Sequence, residues 1–253
     1  MARLIILGSS AAVSDAEHDN THFVLQGDNS VVLVDCGSNP IVKLRRFGIQ
    51  YDQLTDMILT HFHPDHVYGV PMLLMHMWLL GRRKPLRVHG LPHCLERTED
   101  LMSAFLWDEW PQFFPVAFHR ISSREGQPVI DNEDFRVSSW PVQHYSVPTI
   151  GLRIESKESG KIVGYSCDTA PVRNVMRLAN RADMLIHEAT GEDPEGHSSA
   201  LQAGEIASEA GVKRLVLIHY ETWDRDPTPL IDEARQSFYG PVELAADFNV
   251  YDI

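Results

Sequence analysis

Residues 57–70 read MILTHFHPDHVYGV. An apolar run, Met57 to Leu59, hands over almost at once to His61, His63, Asp65 and His66, four titratable side chains within six positions. Unpartnered polar groups are costly in an apolar setting, so a cluster this dense needs a common partner, and a metal ion supplies one. DMILT has the composition of a buried strand, and it delivers the cluster at its carboxyl end, where sites usually lie in α/β folds.

Working outward, LIILG, HFVLQG and VVLVDCG read as consecutive strands of an early antiparallel sheet, and IVKLRRFG as a short helix ending at Gly48. VYGVPMLLMHMWLLG follows the cluster as a helix, with Met72, Met75, His76 and Leu79 at helical spacing, so the methionines are expected in the core. PLRVHG is a further strand and HCLERTEDLMSAFLWDEW a helix. The aromatic stretch WDEWPQFFPVAF, residues 107–118, reads equally as a substrate lid, a subunit contact or plain packing under a loop.

The second half repeats the plan. FRVSSWPVQH, PTIGLRIES and KIVGYSCD read as strands, with ESG at a hairpin turn. Helices and strands then alternate through VRNVMRLAN, ADMLIH, SSALQAGEIASEAG, RLVLIH and LIDEARQSF to a last strand pair. Strands first and βαβ units after them, in each half, imply two sheets packed face to face with helices outside: an α/β protein built as a four-layer αββα sandwich.

No Pro-, Gly- or Ser-rich linker divides the 253 residues, and one domain is expected over 1–253. The opening MARLIILGSS is too short an apolar stretch for a signal core or a membrane span. Cys36, Cys94 and Cys167 are widely spaced, which suits reduced thiols and a cytoplasmic location. The net charge of -13 argues against a grip on long nucleic acid. The basic group Arg82, Arg83, Lys84 and Arg87 reads first as solvation of a helix end and only second as an anion site. GxxxxGK[ST], GxSxG and HExxH are absent, which removes the starting motif for P-loop, serine-hydrolase and zincin chemistry.

Four apolar strands end in metal-type ligands: His61 after DMILT, His144 after SSWPVQ, Asp168 after KIVGYSC and His219 after RLVLI. With His63, Asp65 and His66 they make seven donors, which suits two divalent cations sharing a bridge better than one tetrahedral ion. The remaining histidines, His18, His22, His76, His89, His93 and His119, lack ligand spacing and read as structural or exposed.

HFHPDH followed by His144, Asp168 and His219 resembles the metal-binding motifs of the metallo-β-lactamase superfamily, over almost the whole chain. HYSVPTIG from His144, HEAT at His187 to Thr190 and HSS from His197 are similar to its ribonuclease Z branch. The resemblance implies a single metallo-β-lactamase-like hydrolase domain. In it His61, His63 and His144 hold one Zn²⁺, Asp65, His66 and His219 hold the other, and Asp168 bridges them; ligand type alone also admits Mn²⁺ or Fe²⁺. Water between two such ions is acidified to a pKa of roughly 7, so hydroxide is available at neutral pH, with Asp65 orienting it and accepting its proton. His197 would protonate the leaving group while Glu188 orients it, although Ser198 or Ser199 also reads as a helix N-cap. His187 and Asp35 are expected to support the ligands from behind.

Two dications offset by Asp65, Asp168 and hydroxide leave about one positive charge, which matches a monoanionic phosphodiester. Relatives in the branch carry an arm that clamps transfer RNA between the third ligand and the bridging Asp. Here 23 residues separate His144 from Asp168 and read as one hairpin, and YETWD replaces the usual arginine-bearing ending after His219. The expectation is therefore a zinc-dependent phosphodiesterase acting on a small or single-stranded substrate, a cyclic nucleotide among them. Alternatives are hydrolysis of a lactone, thioester or β-lactam, transfer-RNA 3′-processing, and a non-catalytic metal-binding protein. No membrane partner is implied, and a homodimer fits the aromatic stretch and the resemblance.

Overall fold

The computed structural model describes residues 2–253. Its first half contains β1 (Arg3–Gly8), β2 (His22–Gln26), β3 (Val31–Val34), α1 (Ile41–Arg46), β4 (Leu54–Leu59), α2 (Pro64–Val67), α3 (Val70–Leu79), β5 (Leu86–Gly90), α4 (Pro92–Ala104) and β6 (Val116–Arg120). The second contains β7 (Gln127–Asp131), β8 (Phe135–His144), β9 (Val147–Ser156), β10 (Ile162–Tyr165), α5 (Arg173–Leu178), β11 (Met184–Glu188), α6 (Ala200–Ala210), β12 (Leu215–Ile218), α7 (Pro229–Ala234), β13 (Val242–Leu244) and β14 (Val250–Asp252). Two seven-stranded sheets result, ordered β14-β1-β2-β3-β4-β5-β6 and β13-β12-β11-β10-β9-β8-β7. Each begins antiparallel and turns parallel, at β3–β4 in one and β10–β11 in the other.

The strands are apolar on both faces because both faces are covered. Leu4, Ile6, Val32, Val34 and Ile58 meet Val163, Tyr165, Ile186, Val216 and Ile218 between the sheets. The alternate residues Ile5, Leu7, Leu33, Met57 and Leu59 face the helices of the first half, and Leu185, Leu215 and Leu217 face those of the second. This is the expected αββα sandwich. No helix of the described residues is long and apolar enough to cross a membrane. Cys36, Cys94 and Cys167 are buried and free.

Several local expectations need correction. On α3 the buried residues are Val70, Leu73, Leu74 and Met77, while Met72 and Leu79 are 43% and 65% exposed. The helix is apolar nearly all round, so two stripes share the same spacing and periodicity cannot choose between them. The last two strands do not pair with each other: β13 joins β12, and β14 crosses to β1. The edge strands β6 and β7 lay hidden, one among aromatics and prolines, the other carrying Pro128, which an edge tolerates.

The aromatic stretch packs. Phe114 is buried, and Trp107, Trp110, Phe113 and Phe118 lie against the outer core of the first sheet, with Trp78 and Trp110 stacked at 4.9 Å. The basic group is likewise structural. Arg82 is 1% exposed and donates to the carbonyls of Tyr51, Leu54, Lys84 and Pro85, so its buried charge is fully partnered. Arg87 forks onto Asp56 at 2.7 Å through both nitrogens.

Candidate metal centre

The carboxyl ends of β4, β8, β10 and β12 converge on one rim. Two residues past β4 comes His61, and Pro64 then starts α2, whose single turn places Asp65 and His66 beside it. His144 is the last residue of β8, Asp168 stands three past β10 and His219 one past β12. All seven sequence-predicted donors meet here. His61, His63 and His144 offer ligand atoms within 4.8 Å of one another, and so do Asp65, His66, Asp168 and His219.

Asp168 lies between the two sets. Its Oδ2 is 3.2 Å from His219 Nε2, 3.4 Å from His66 Nε2, 3.8 Å from His144 Nε2 and 3.9 Å from His61 Nε2.

Four of the imidazoles are fixed from behind through Nδ1. His61 meets Thr60 Oγ1 at 3.1 Å, His66 meets Asp35 Oδ2 at 2.9 Å, His144 meets the Gly196 carbonyl at 2.9 Å, and His219 meets Thr21 Oγ1 at 3.0 Å. Each Nε2 is thereby turned toward the other donors, with His144 Nε2 3.0 Å from His63 Nδ1. His61 Nε2, His66 Nε2 and Asp168 Oδ1 are buried and have no hydrogen-bond partner. Orphaned donors of this kind, in a set of imidazoles and carboxylates, are what divalent cations require.

The electrostatics follow from burial and crowding. Burial, reinforced by His66, holds the His61 imidazole well below its usual value. Burial works the same way on His66, but Asp168 and Asp35 outweigh it and hold that ring well above. For Asp168 burial alone would favour the acid; His219 and His66 reverse this and hold it well below the usual carboxylate range.

Backbone conformation adds a feature that composition does not reveal. Asp35, Tyr145, Cys167 and His219, all at this rim, adopt left-handed φ of 59°, 48°, 56° and 52°. Such conformations cost energy in non-glycine residues and persist where surrounding structure imposes them.

Beside the seven donors, His197 Nδ1 lies 3.0 Å from Glu188 Oε1. Burial opposes the protonated form of His197, but the Glu188 contact prevails and raises its pKa. Glu188 is fully buried and also accepts from the backbone N–H groups of Thr169, Thr190 and Ser198. Ser199 is the N-cap of α6, in a capping box with Gln202, so the cap and the His197 contact coexist. His187 is a buried residue of β11 itself, with Nδ1 on the Glu188 carbonyl and Nε2 without a hydrogen-bond partner. Sequence reasoning missed Thr21, Thr60 and Gly196 as supports; the nearest signal was Thr60, adjacent to His61.

Residues 31–220 match the profile of the β-lactamase superfamily domain. The chain belongs to the metallo-β-lactamase superfamily. Within it, the chain is 30% identical to a protein named ribonuclease Z from Methanothermobacter thermautotrophicus, over 98% of this chain and 95% of that one. A ribonuclease Z from Myxococcus xanthus is 26% identical over 98% and 96%. These matches put it in the ribonuclease Z-like branch, and it is a metal-dependent hydrolase. The metallo-β-lactamase fold protein YhfI from Bacillus subtilis superposes with a TM-score of 0.83 at 24% identity, covering 99% and 98% of the two chains. Human tRNase Z, short form, gives 0.80 at 24%, covering 99% of each. The archaeal alignment runs over 301 positions against 253 residues here, so at least 48 of them (301 − 253) face no residue of this chain.

Proposed function

We propose that this metallo-β-lactamase-fold hydrolase is a dinuclear zinc phosphodiesterase acting on a small or single-stranded phosphodiester. The observation that carries the reading is Asp168 Oδ2, within 3.9 Å of ring nitrogens from both donor sets. His61, His63 and His144 would hold one ion and Asp65, His66 and His219 the other, with Asp168 between. Bound there, two divalent ions would supply Lewis acidity and bring the pKa of water to roughly 7. Because both sheets contribute donors, residues 1–253 work as one hydrolase unit in this reading.

The chain's own groups do the proton work. Asp65 is half-buried, with Oδ2 3.5 Å from His66 Nε2 and 3.9 Å from His219 Nε2, and from there it orients the attacking water and accepts its proton. His197, charged by its bond to Glu188, donates to the departing alkoxide oxygen. That donor favours a phosphodiester over a lactone, whose cleavage has less use for it.

The relatives named for ribonuclease Z make transfer RNA the second reading. Against it stands the stretch between His144 and Asp168, where the branch is expected to carry its arm: it holds only the antiparallel strands β9 and β10 and their short connections. The charge of -13 points the same way.

Metal analysis with an activity screen tests the proposal. Two zinc ions per chain and turnover of bis(4-nitrophenyl) phosphate and cyclic nucleotides are expected. A single ion, or turnover confined to lactones, would overturn it.

A further inference from the structure

The donor groups are only part of the lining of their cavity. That cavity is about 420 Å³, and Ala11, Ala12, Val13, Tyr145, Trp223 and Arg225 line it together with the donors. A phosphodiester core fills a small part of such a space, so what flanks the remainder decides which ester groups enter.

The flank is apolar and open. Trp223 and Val13 are each 60% exposed and Tyr145 is 46% exposed, although they border one recess and are not scattered over the surface. The wall is also well anchored. Ala11 N–H donates to the Tyr220 carbonyl at 3.0 Å, Ser10 and Tyr220 form a β-bridge, and the Tyr220 hydroxyl donates to the Ala245 carbonyl. Thr222 is 6% exposed, and its carbonyl accepts from Arg225 N–H at 3.3 Å. Trp223 therefore stands four residues past His219, on a loop whose start is tied to the Ala11–Val13 segment through the Ser10–Tyr220 bridge.

The shape selects a chemical class. A long alkyl ester would need an enclosed channel, and the recess opens to solvent. A planar ring can lie with one face on the indole and the other in water, losing little side-chain entropy. Arg225 is paired with Glu221, so the rim adds no net positive charge to draw a polyanion.

We infer that Trp223 is a specificity-determining platform for an aromatic ring on the ester group that stays with phosphorus, so the preferred substrate is a nucleoside-bearing phosphodiester of mononucleotide size. This rests on the phosphodiesterase reading above and adds which diester it takes.

Two substrates with the same leaving group and charge provide the test: thymidine 5′-(4-nitrophenyl phosphate) and methyl 4-nitrophenyl phosphate. Zinc-loaded protein is expected to favour the thymidine ester by roughly tenfold or more in kcat/KM, the scale of one base stacked on an aromatic side chain. Trp223→Ala should abolish that preference while leaving the methyl ester within twofold, and Trp223→Phe should restore most of it. As an independent readout, thymidine 5′-monophosphate should quench tryptophan fluorescence where ribose 5-phosphate does not, and Trp223→Phe should remove the quench. Equal losses on both esters, or an unchanged preference in Trp223→Ala, would overturn the inference. If neither ester turns over while the nucleotide still quenches Trp223, the phosphodiesterase reading fails and the ring platform stands.

Discussion

Asp35 Oδ2 lies 2.9 Å from His66 Nδ1, and both side chains are fully buried. The same carboxylate accepts from Thr60 N–H at 2.8 Å and from Thr60 Oγ1 at 2.9 Å, and Thr60 in turn meets His61. One residue outside the donor set thus sets the orientation of a ring in each proposed ion site. Asp35→Asn keeps the shape and removes the charge. It is expected to weaken zinc binding by roughly 10- to 100-fold, the usual cost of losing a supporting carboxylate. Competition with a chromophoric chelator measures this, and unchanged affinity would show that Asp35 serves the fold alone.

His197 and Glu188 separate two roles that share one hydrogen bond. His197→Ala should lower kcat on a cyclic nucleotide by roughly 10²- to 10⁴-fold, the range for a lost general acid, with zinc content unchanged. On bis(4-nitrophenyl) phosphate the loss should be much smaller, because the nitrophenolate leaves without a proton. A fall in bound zinc would instead make His197 a ligand beside His144 and Asp168, with which it also clusters. Glu188→Gln should in addition destabilise the fold by about 1–3 kcal/mol, since three backbone N–H groups lose a charged acceptor. Urea unfolding of the two variants distinguishes them.

What the sequence disclosed is what local pattern encodes. The seven donors and Glu188 with His197 were legible because each sits at a strand end or in a dense motif. The supports were not. Thr21 reaches His219 across 198 positions and Gly196 reaches His144 across 52, and no local rule links such pairs. The face of α3 was misassigned because Met72 and Leu79 are as apolar as Leu73 and Met77. Left-handed φ at Asp35, Cys167 and His219 carries no glycine to announce it.

Gly37 shows how closely the loop after β3 backs the proposed ligands. A β-carbon there would lie 2.1 Å from the Asp65 carbonyl oxygen and 2.8 Å from the Asn20 side chain. Backbone oxygen cannot swing away as a flexible side chain can, so Gly37→Ala must displace the turn that carries Asp65 and His66. Overpacking of this kind costs about 1–3 kcal/mol. The expected result is a lower melting temperature and substoichiometric zinc, although no donor has been changed. Full occupancy with wild-type stability would mean that the loop yields without moving α2.

Asp56 offers a pH test remote from the metal centre. It is 1% exposed, accepts from His89 Nε2 at 2.8 Å and is held by the Arg87 fork. Burial opposes its ionisation, but the His89 and Arg87 hydrogen bonds prevail and bring its pKa down to about 2, from 3.8. A carboxylate depressed in the folded state contributes stability that is complete above the unfolded value and is lost as pH falls through the folded one. At neutral pH the contribution is about 2 kcal/mol, and near pH 3 roughly half of it remains. Urea unfolding of metal-free wild type and Asp56→Asn should therefore show a gap that is clearly larger at pH 5 than at pH 3 and narrows steadily below pH 4. Comparing the two proteins cancels the titration of the histidines and carboxylates at the metal centre, which both retain. A gap that held constant down to pH 3 would mean that the Asp56→Asn variant loses packing or hydrogen bonds and that the charge itself contributes nothing.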